Sequence, residues 1–415
     1  MNRQFPPGID TISRRRLLGG AAALAWPARG NTKKRVATVI TEYRLNSHAD
    51  VIAGRLIEGY EYDGKRREPA AQVVSMYTDQ VPANDMSRGL AARYPFKICP
   101  TVAGALTLGT GKLAVDAVML IGEHGNYPEN EKGQKLYPRH RLYQQIVDVF
   151  RTSGRGVPVY CDKHFSTDWT QAKQMYDEAR ELRFPLMAGS SLPVSWRRPP
   201  LEMDLGAPVE RAASVFYGGK EAYGFHALEA LECMVERRTG GETGIAAVEC
   251  VEGPAVWTWT DSRAWAGRLL DAALAHSETK KPGSPRDNVK EPILFQVEYR
   301  SGLIAAVYIL NGHCQDCTFA ADIKGRAEPI STEIWLQPGR PYSHFSALVH
   351  YIEQMILTGK EPYPPERTLL TTGALAALMD ATGRRVETPH LAIKYRAPAQ
   401  SLFARGPVPA LEAKS

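Results

Sequence analysis

The sequence predicts an α/β fold in two parts, a doubly wound parallel sheet followed by an α+β portion with a mainly antiparallel open sheet. Three observations carry that expectation. Short apolar runs rich in β-branched residues alternate with segments of helical spacing as far as residue 190. Those runs are apolar throughout, as strands covered on both faces must be. Beyond Ser190 the rhythm changes: Ile293, Phe295, Val297 and Tyr299 alternate with Leu294, Gln296 and Glu298, the period of a sheet with one buried face.

Taken in order, Val36–Ile40 reads as a strand, and Ile52, Leu56 and Tyr60 recur at helical spacing. Strands follow at Gln72–Tyr77, Val115–Ile121 and Val157–Cys161, with the short apolar run Pro185–Ala188 last. Helices Asp85–Arg93, Arg139–Arg151 and Trp169–Leu182 separate them. This order winds a parallel sheet between two layers of helix. A Pro- and Arg-rich crossing, Ser195–Pro200, leads to a helix through Phe225–Arg237 and to extended runs Ile245–Val251, Ile293–Tyr299 and Leu303–Leu310. Two closing helices, His344–Thr358 and Glu366–Thr382, flank the turn Gly359-Lys360-Glu361-Pro362.

At 415 residues the chain exceeds one ordinary core. The expected organisation is a leader over 1–30, the doubly wound sheet over 31–190, and the α+β portion over 191–415. Ser13-Arg14-Arg15-Arg16-Leu17-Leu18, the apolar run Gly19–Trp26 and small residues around Ala28 and Gly30 resemble a twin-arginine signal peptide. The resemblance implies the twin-arginine export machinery as a partner and a periplasmic or otherwise extracytoplasmic destination. That route carries folded proteins, often with a cofactor already held.

Net charge is +6, and the leader's five basic residues and one acid account for +4, leaving about +2. Basic residues are scattered among acids rather than striped, so nothing asks for nucleic acid, and no second apolar run reaches membrane-span length. Six cysteines are too few for a disulfide scaffold. Cys314-Gln315-Asp316-Cys317, with His313 before it, has no second CxxC and reads as packing or turn cysteines.

In an open parallel sheet the ligand crevice lies at the carboxyl ends of the strands. Polar clusters fall there: Thr41 to His48 after the first strand, Asp79 after the second, Gly122-Glu123-His124 after the third, and Asp162-Lys163-His164 after the next. Several motifs then resemble the Gfo/Idh/MocA family of sugar and polyol oxidoreductases. Val157 to His164 sits where that family has a strand ending in Glu-Lys-Pro, Asp116-Ala117-Val118 resembles its Asp-Ala-Val strand, and Tyr223-Gly224-Phe225-His226-Ala227-Leu228-Glu229 is similar to its Gly-x-His-x-x-Asp segment. His344-Phe345, Gly359-Lys360 and Pro362-Tyr363-Pro364 resemble its closing helices. The resemblance covers nearly the whole chain after the leader.

It implies a Rossmann-like, dinucleotide-binding first domain, a second domain for substrate and oligomerisation, and catalysis by Lys163 and His226 at the reacting carbon. A histidine takes the hydroxyl proton while a cationic lysine steadies the developing alkoxide. Glu42, Arg44, Ser47, Asp79, Gly122, Glu123 and His124 become candidates for holding NAD or NADP. Asp79 would accept from a ribose hydroxyl and repel a 2′-phosphate, which favours NAD. Tyr223, Trp196 and Arg197 are candidates for a carbohydrate or polyol substrate, and the open sheet suggests a homo-oligomer.

The sequence also departs from the family pattern. Glu42-Tyr43-Arg44-Leu45-Asn46-Ser47 replaces Gly-x-Gly-x-x-Gly after the first strand, putting bulky side chains and a carboxylate where a pyrophosphate approaches backbone. Arg44, the Ser47 hydroxyl and a helix start at His48 remain as anion-binding groups. Ala222 stands four residues before His226 in place of an acid, with Glu221 beside it, and His164 replaces the proline. The leading expectation is therefore an exported oxidoreductase acting on a sugar or polyol hydroxyl with a tightly held nicotinamide. The alternatives are glycoside cleavage through transient oxidation, a nicotinamide-independent lyase or isomerase, and a non-catalytic carbohydrate-binding protein. A divalent metal would fit the second of these, with His124, Asp162 and His164, joined by Glu123 and His226, as ligands.

Overall fold

The computed structural model describes residues 33–411, so the expected leader lies outside the described residues. β1 (Lys34–Ile40) starts a six-stranded parallel sheet with β4 (Ala71–Thr78), β5 (Lys97–Ile98), β6 (Ala117–Ile121), β7 (Val159–Asp162) and β8 (Leu186–Gly189), in the order β5-β4-β1-β6-β7-β8. A small hairpin, β2 (Tyr60–Tyr62) and β3 (Lys65–Arg67), stands beside it and takes Tyr60 out of the expected helix. The strand order reverses at β1/β6, which sets the crevice of a doubly wound sheet there.

The strands are apolar throughout because both faces are covered. Val36, Ile40, Met119 and Ile121 pack toward Ile52 and Leu56 and toward α10 (Ser343–Thr358) through Leu348 and Ile352. Ala37, Val39, Val118 and Leu120 pack the other way, onto α3 (Val102–Thr107), α4 (Arg139–Ser153) and α5 (Trp169–Glu181). Near the start of the crossover after β1 the chain makes a π turn, Ala49–Ala53, that runs into α1 (Gly54–Glu58), and α2 (Ser87–Arg93) follows β4.

The second sheet has eight strands: β9 (Trp196–Arg198), β10 (Val209–Phe216), β11 (Ile245–Glu252), β12 (Ile293–Tyr299), β13 (Ile304–Ile309), β14 (Cys317–Ile323), β15 (Ile330–Trp335) and β16 (Arg385–Glu387). Their order is β16-β11-β12-β13-β10-β14-β15-β9, and only β10 and β13 run parallel. One face carries α6 (Ala222–Val235) and α11 (Pro365–Met379) through Phe225, Leu231, Ala374 and Leu378.

The expectation of one buried face is corrected here. α7 (Ala255–Asp261) and α8 (Ala264–Leu274) cover the opposite face, with Val256, Leu269 and Leu270 against Val215, Leu294 and Tyr308, and the short α9 (Pro285–Asn288) follows them. Gln296, which reads as solvent-facing, is buried and accepts from Trp259 Nε1 at 2.9 Å. The sheet face that the sequence left open carries these helices instead. All six cysteines are free, and Cys314 and Cys317 are buried.

Gly189 closes β8 at φ +122°, and a Cβ there would lie 2.5 Å from Glu229 Oε2 and 2.8 Å from Thr368 Oγ1. Its N–H donates to the Lys163 carbonyl at 3.0 Å. Gly189→Ala therefore combines backbone strain with a clash against a buried carboxyl, and should lower stability by about 2–4 kcal/mol, read as a lower denaturant midpoint at unchanged slope.

Candidate functional site

The carboxyl ends of β1 and β6 are level, with Ile40 opposite Ile121, and Thr41 Oγ1 donates to the Glu123 carbonyl at 2.7 Å. β7 follows in register beside β6. Three strand ends thus deliver Thr41–His48, Gly122–His124 and Asp162–His164 to one edge. Two residues just past these strands hold left-handed backbone, His124 at φ +69° and Lys163 at φ +59°. Non-glycine residues adopt that conformation at a cost and concentrate at functional sites.

At the centre lies a buried array of charges. Glu123 Oε1 accepts from Lys163 Nζ at 2.9 Å and Oε2 from Arg139 Nη2 at 2.7 Å, with all three residues at most 6% exposed. Burial alone would raise the Glu123 carboxyl, but Lys163 and Arg139 hold it well below the usual carboxylate range. Arg139 reaches this position across Gly122, where a Cβ would come within 2.5 Å of its Cγ. Gly122 thus makes room for Arg139. Arg139 Nη1 also lies 3.2 Å from His164 Nε2, which stands 3.0 Å from Glu221.

His226, on α6, keeps Nδ1 2.6 Å from Ser190 Oγ. Burial, then the Lys163 charge, pushes this imidazole well below its ordinary value, so it is neutral at working pH. Ser190 Oγ accepts the Leu192 N–H at 3.1 Å and keeps both a lone pair and a hydrogen for Nδ1. The bond can run in either direction, leaving Nε2 a donor in one tautomer and an acceptor in the other. Ser190 is thus the Nδ1 partner of His226, and Glu221, beside Ala222, is turned to His164 instead.

Glu123, His124, Lys163, His226 and Tyr223 line one cleft of about 640 Å³. His48, His344 and Phe345 line it too, His48 with ring centroids 5.3 Å from both His124 and Phe345. Burial, then neighbouring His48, lowers His124 to about 4; burial, then Arg55, lowers His344 to about 3. Trp196 and Arg197 fall outside the cleft lining. Trp196 packs edge-on against Trp335 and donates to the Gly406 carbonyl, and Arg197 donates to the Leu201 carbonyl and covers the Phe403 ring. Sequence reasoning missed Arg139, Ser190, Glu278, Asp316 and Glu333, which read as ordinary helix, loop and strand positions.

The candidate metal ligands are turned to other partners. His124 meets Arg44 at 3.3 Å, Asp162 meets His48 at 2.7 Å, and His164 meets Arg139 and Glu221. Among the described residues no group of three His, Cys, Asp or Glu side chains is arranged to hold a metal ion.

Seen as a whole, the chain has the fold of GenD2 and of solved inositol dehydrogenases. GenD2 from gentamicin A biosynthesis, solved in complex with NAD, matches with a TM-score of 0.54 at 14% identity over 86% of this chain and 96% of that one. An apo scyllo-inositol dehydrogenase from Lactobacillus casei matches at 0.51 and 11% identity, over 86% and 98%. A myo-inositol dehydrogenase from Corynebacterium glutamicum matches at 0.50 and 12% identity, over 86% and 98%. These structures are of the Gfo/Idh/MocA type, the resemblance drawn from the motifs, and the likeness is one of fold. The sequence matches no protein-family model and no curated protein.

That fold implies a dinucleotide over the β1 turn, and the residues present there do not fit one. No glycine occurs between β1 and Gly54. Glu42 is buried and ion-paired to Arg44 at 2.5 Å. The N–H groups that would cradle a pyrophosphate are already engaged: Arg44 N and Asp50 N donate to Ser47 Oγ, and Asn46 N donates to Asp50 at 2.8 Å. Two carboxylates thus stand where an anion would bind. The Arg44–His124 and His48–Asp162 contacts span the strand ends beyond them. Asp79 accepts from Arg141, Tyr127 and Tyr77 at 2.8–3.0 Å, leaving little for a ribose.

Glu123→Gln should cost about 3–5 kcal/mol, because it strands two buried cations. The sign with pH follows from the depressed carboxyl. Its stabilisation is complete above an unfolded value of about 4.3 and is lost as pH falls through the folded value, so acid titration of stability should be steeper in the parent than in the variant.

Proposed function

We propose that the chain is an enzyme of proton transfer on a sugar, a lyase or isomerase working next to a carbonyl carbon without nicotinamide. One observation carries the reading: the neutral His226 and the cationic Lys163 line one cleft, while the turn that would hold a dinucleotide is filled by Glu42, Arg44 and Asp50. With Nδ1–H donating to Ser190 Oγ, His226 Nε2 takes a proton from the carbon beside the carbonyl and, as imidazolium, returns it to the neighbouring carbon of the enediolate in an isomerase or to the departing oxygen in a lyase. The Lys163 ammonium lies where it can stabilise the enolate oxygen that develops. Glu123 holds the lysine in place without being spent as a base, since its carboxyl is anchored from both sides. Aromatic rings of Tyr223 and Phe345 in the lining suit the apolar faces of a sugar.

A second reading keeps hydride transfer with a retained NAD or NADP, favoured by the shared fold with an NAD complex. In it His226 and Lys163 serve the same carbon as base and electrostatic partner. We further propose export by the twin-arginine route to the periplasm or beyond, on the strength of Ser13 to Leu18.

The protein purified from cells and denatured should release no dinucleotide, by mass spectrometry, and should catalyse exchange of solvent deuterium into the carbon next to the carbonyl of ketoses. A dinucleotide near one per chain would overturn the proton-transfer reading and establish the second. His226→Gln and Lys163→Met should each slow exchange by about 10²–10⁴-fold.

A further inference from the structure

Part of the cleft wall comes from the second sheet and the segment after α8: Glu278, Thr279, Gln315, Asp316, Glu333 and Trp335. Glu333, on β15, is 3% exposed, and its Oε2 has no hydrogen-bond partner. Asp316 is ringed by donors, Ser277 Oγ at 2.9 Å, Thr279 N at 3.0 Å and Thr279 Oγ1 at 2.8 Å. Glu278 is more open and stands 3.4 Å from Arg198, whose guanidinium lies 3.9 Å from the Trp335 ring centroid. Three carboxyl groups therefore gather with one arginine among them, and that arginine is drawn onto an aromatic face.

We infer that this wall is a subsite for an ammonium group, so that the ligand of the cleft is an amino sugar or amino polyol. A hydroxyl could also donate to Glu333, but an ammonium both donates and supplies the charge that lets Glu333 ionise beside Glu278 and Asp316. The inference rests on the proposed function only for which end of the ligand reacts. Burial, with the charges of Glu278 and Asp316 behind it and Arg198 opposing, pushes Glu333 up to about 8. At pH 7 the empty wall therefore holds a proton that an arriving ammonium expels. Ligand binding and proton release are linked at this residue.

The test is calorimetry of the full chain at pH 7 with glucamine and with sorbitol, which differ by an amino group in place of a hydroxyl, in two buffers of different ionisation enthalpy. Glucamine should bind about tenfold or more tightly than sorbitol, with release of most of one proton. Glu333→Gln, which mimics the protonated carboxyl, should keep the parent's thermal midpoint, abolish proton release and remove the preference for glucamine. Lys163→Met should retain both, so loss of catalysis and loss of this subsite are separable. Equal affinity for the two compounds, absence of glucamine binding at millimolar concentration, or glucamine binding without proton release would each overturn the inference.

Discussion

The crevice is organised around one buried carboxylate. Glu123 sits between Lys163 and Arg139 with one oxygen for each, and compensates both cations at a depth where all three side chains are buried. A pair of this kind contributes little net stability, since desolvation offsets most of the attraction, but it is costly to break. Its value lies in position. It draws the β6 loop, the start of α4 and the end of β7 to one point. Burial, then the charge of the Lys163 it fixes, also keeps His226 neutral.

The fold was legible wherever a strand is covered on both faces, because such strands need only be apolar. Val36 to Ile40, Ala117 to Ile121 and Val159 to Cys161 announce themselves without knowledge of their neighbours. The second sheet was harder. A buried glutamine looks like a solvent-facing one, and only the indole N–H of Trp259 reveals that Gln296 faces a helix. The helix pair α7–α8, the strands β10, β14 and β15, and the short β16 went unread because their partners lie far away in the sequence.

Strand ends marked Glu123, His124, Lys163 and the Thr41 to His48 turn as crevice residues, since topology alone brings the carboxyl edges of parallel strands together. What sequence could not express is aim. The left-handed backbone at His124 and Lys163 decides where those side chains go, and it is uncommon enough outside glycine that neither residue type announces it in sequence. Ser190 as the partner of His226 was equally hidden, as any serine after a strand looks the same. Trp196 and Arg197 illustrate the converse: residue types favoured in sugar sites serve a packed junction with Trp335 and Phe403.

A sheet of this topology makes a crevice whether or not glycines line its first turn, because the crevice follows from strand order and the glycines serve only the phosphates. Replacing them with Glu42, Arg44 and Asp50 removes the anion cradle but leaves the rest of the edge intact. Hydride transfer and proton transfer at a carbinol carbon share one requirement, a neutral imidazole beside a fixed cation. A chain with this fold can therefore give up the dinucleotide and keep half of the chemistry. In the proposed reading the residues that make that half are His226 with Ser190 and Lys163 with Glu123, which pair with one another rather than with the altered turn.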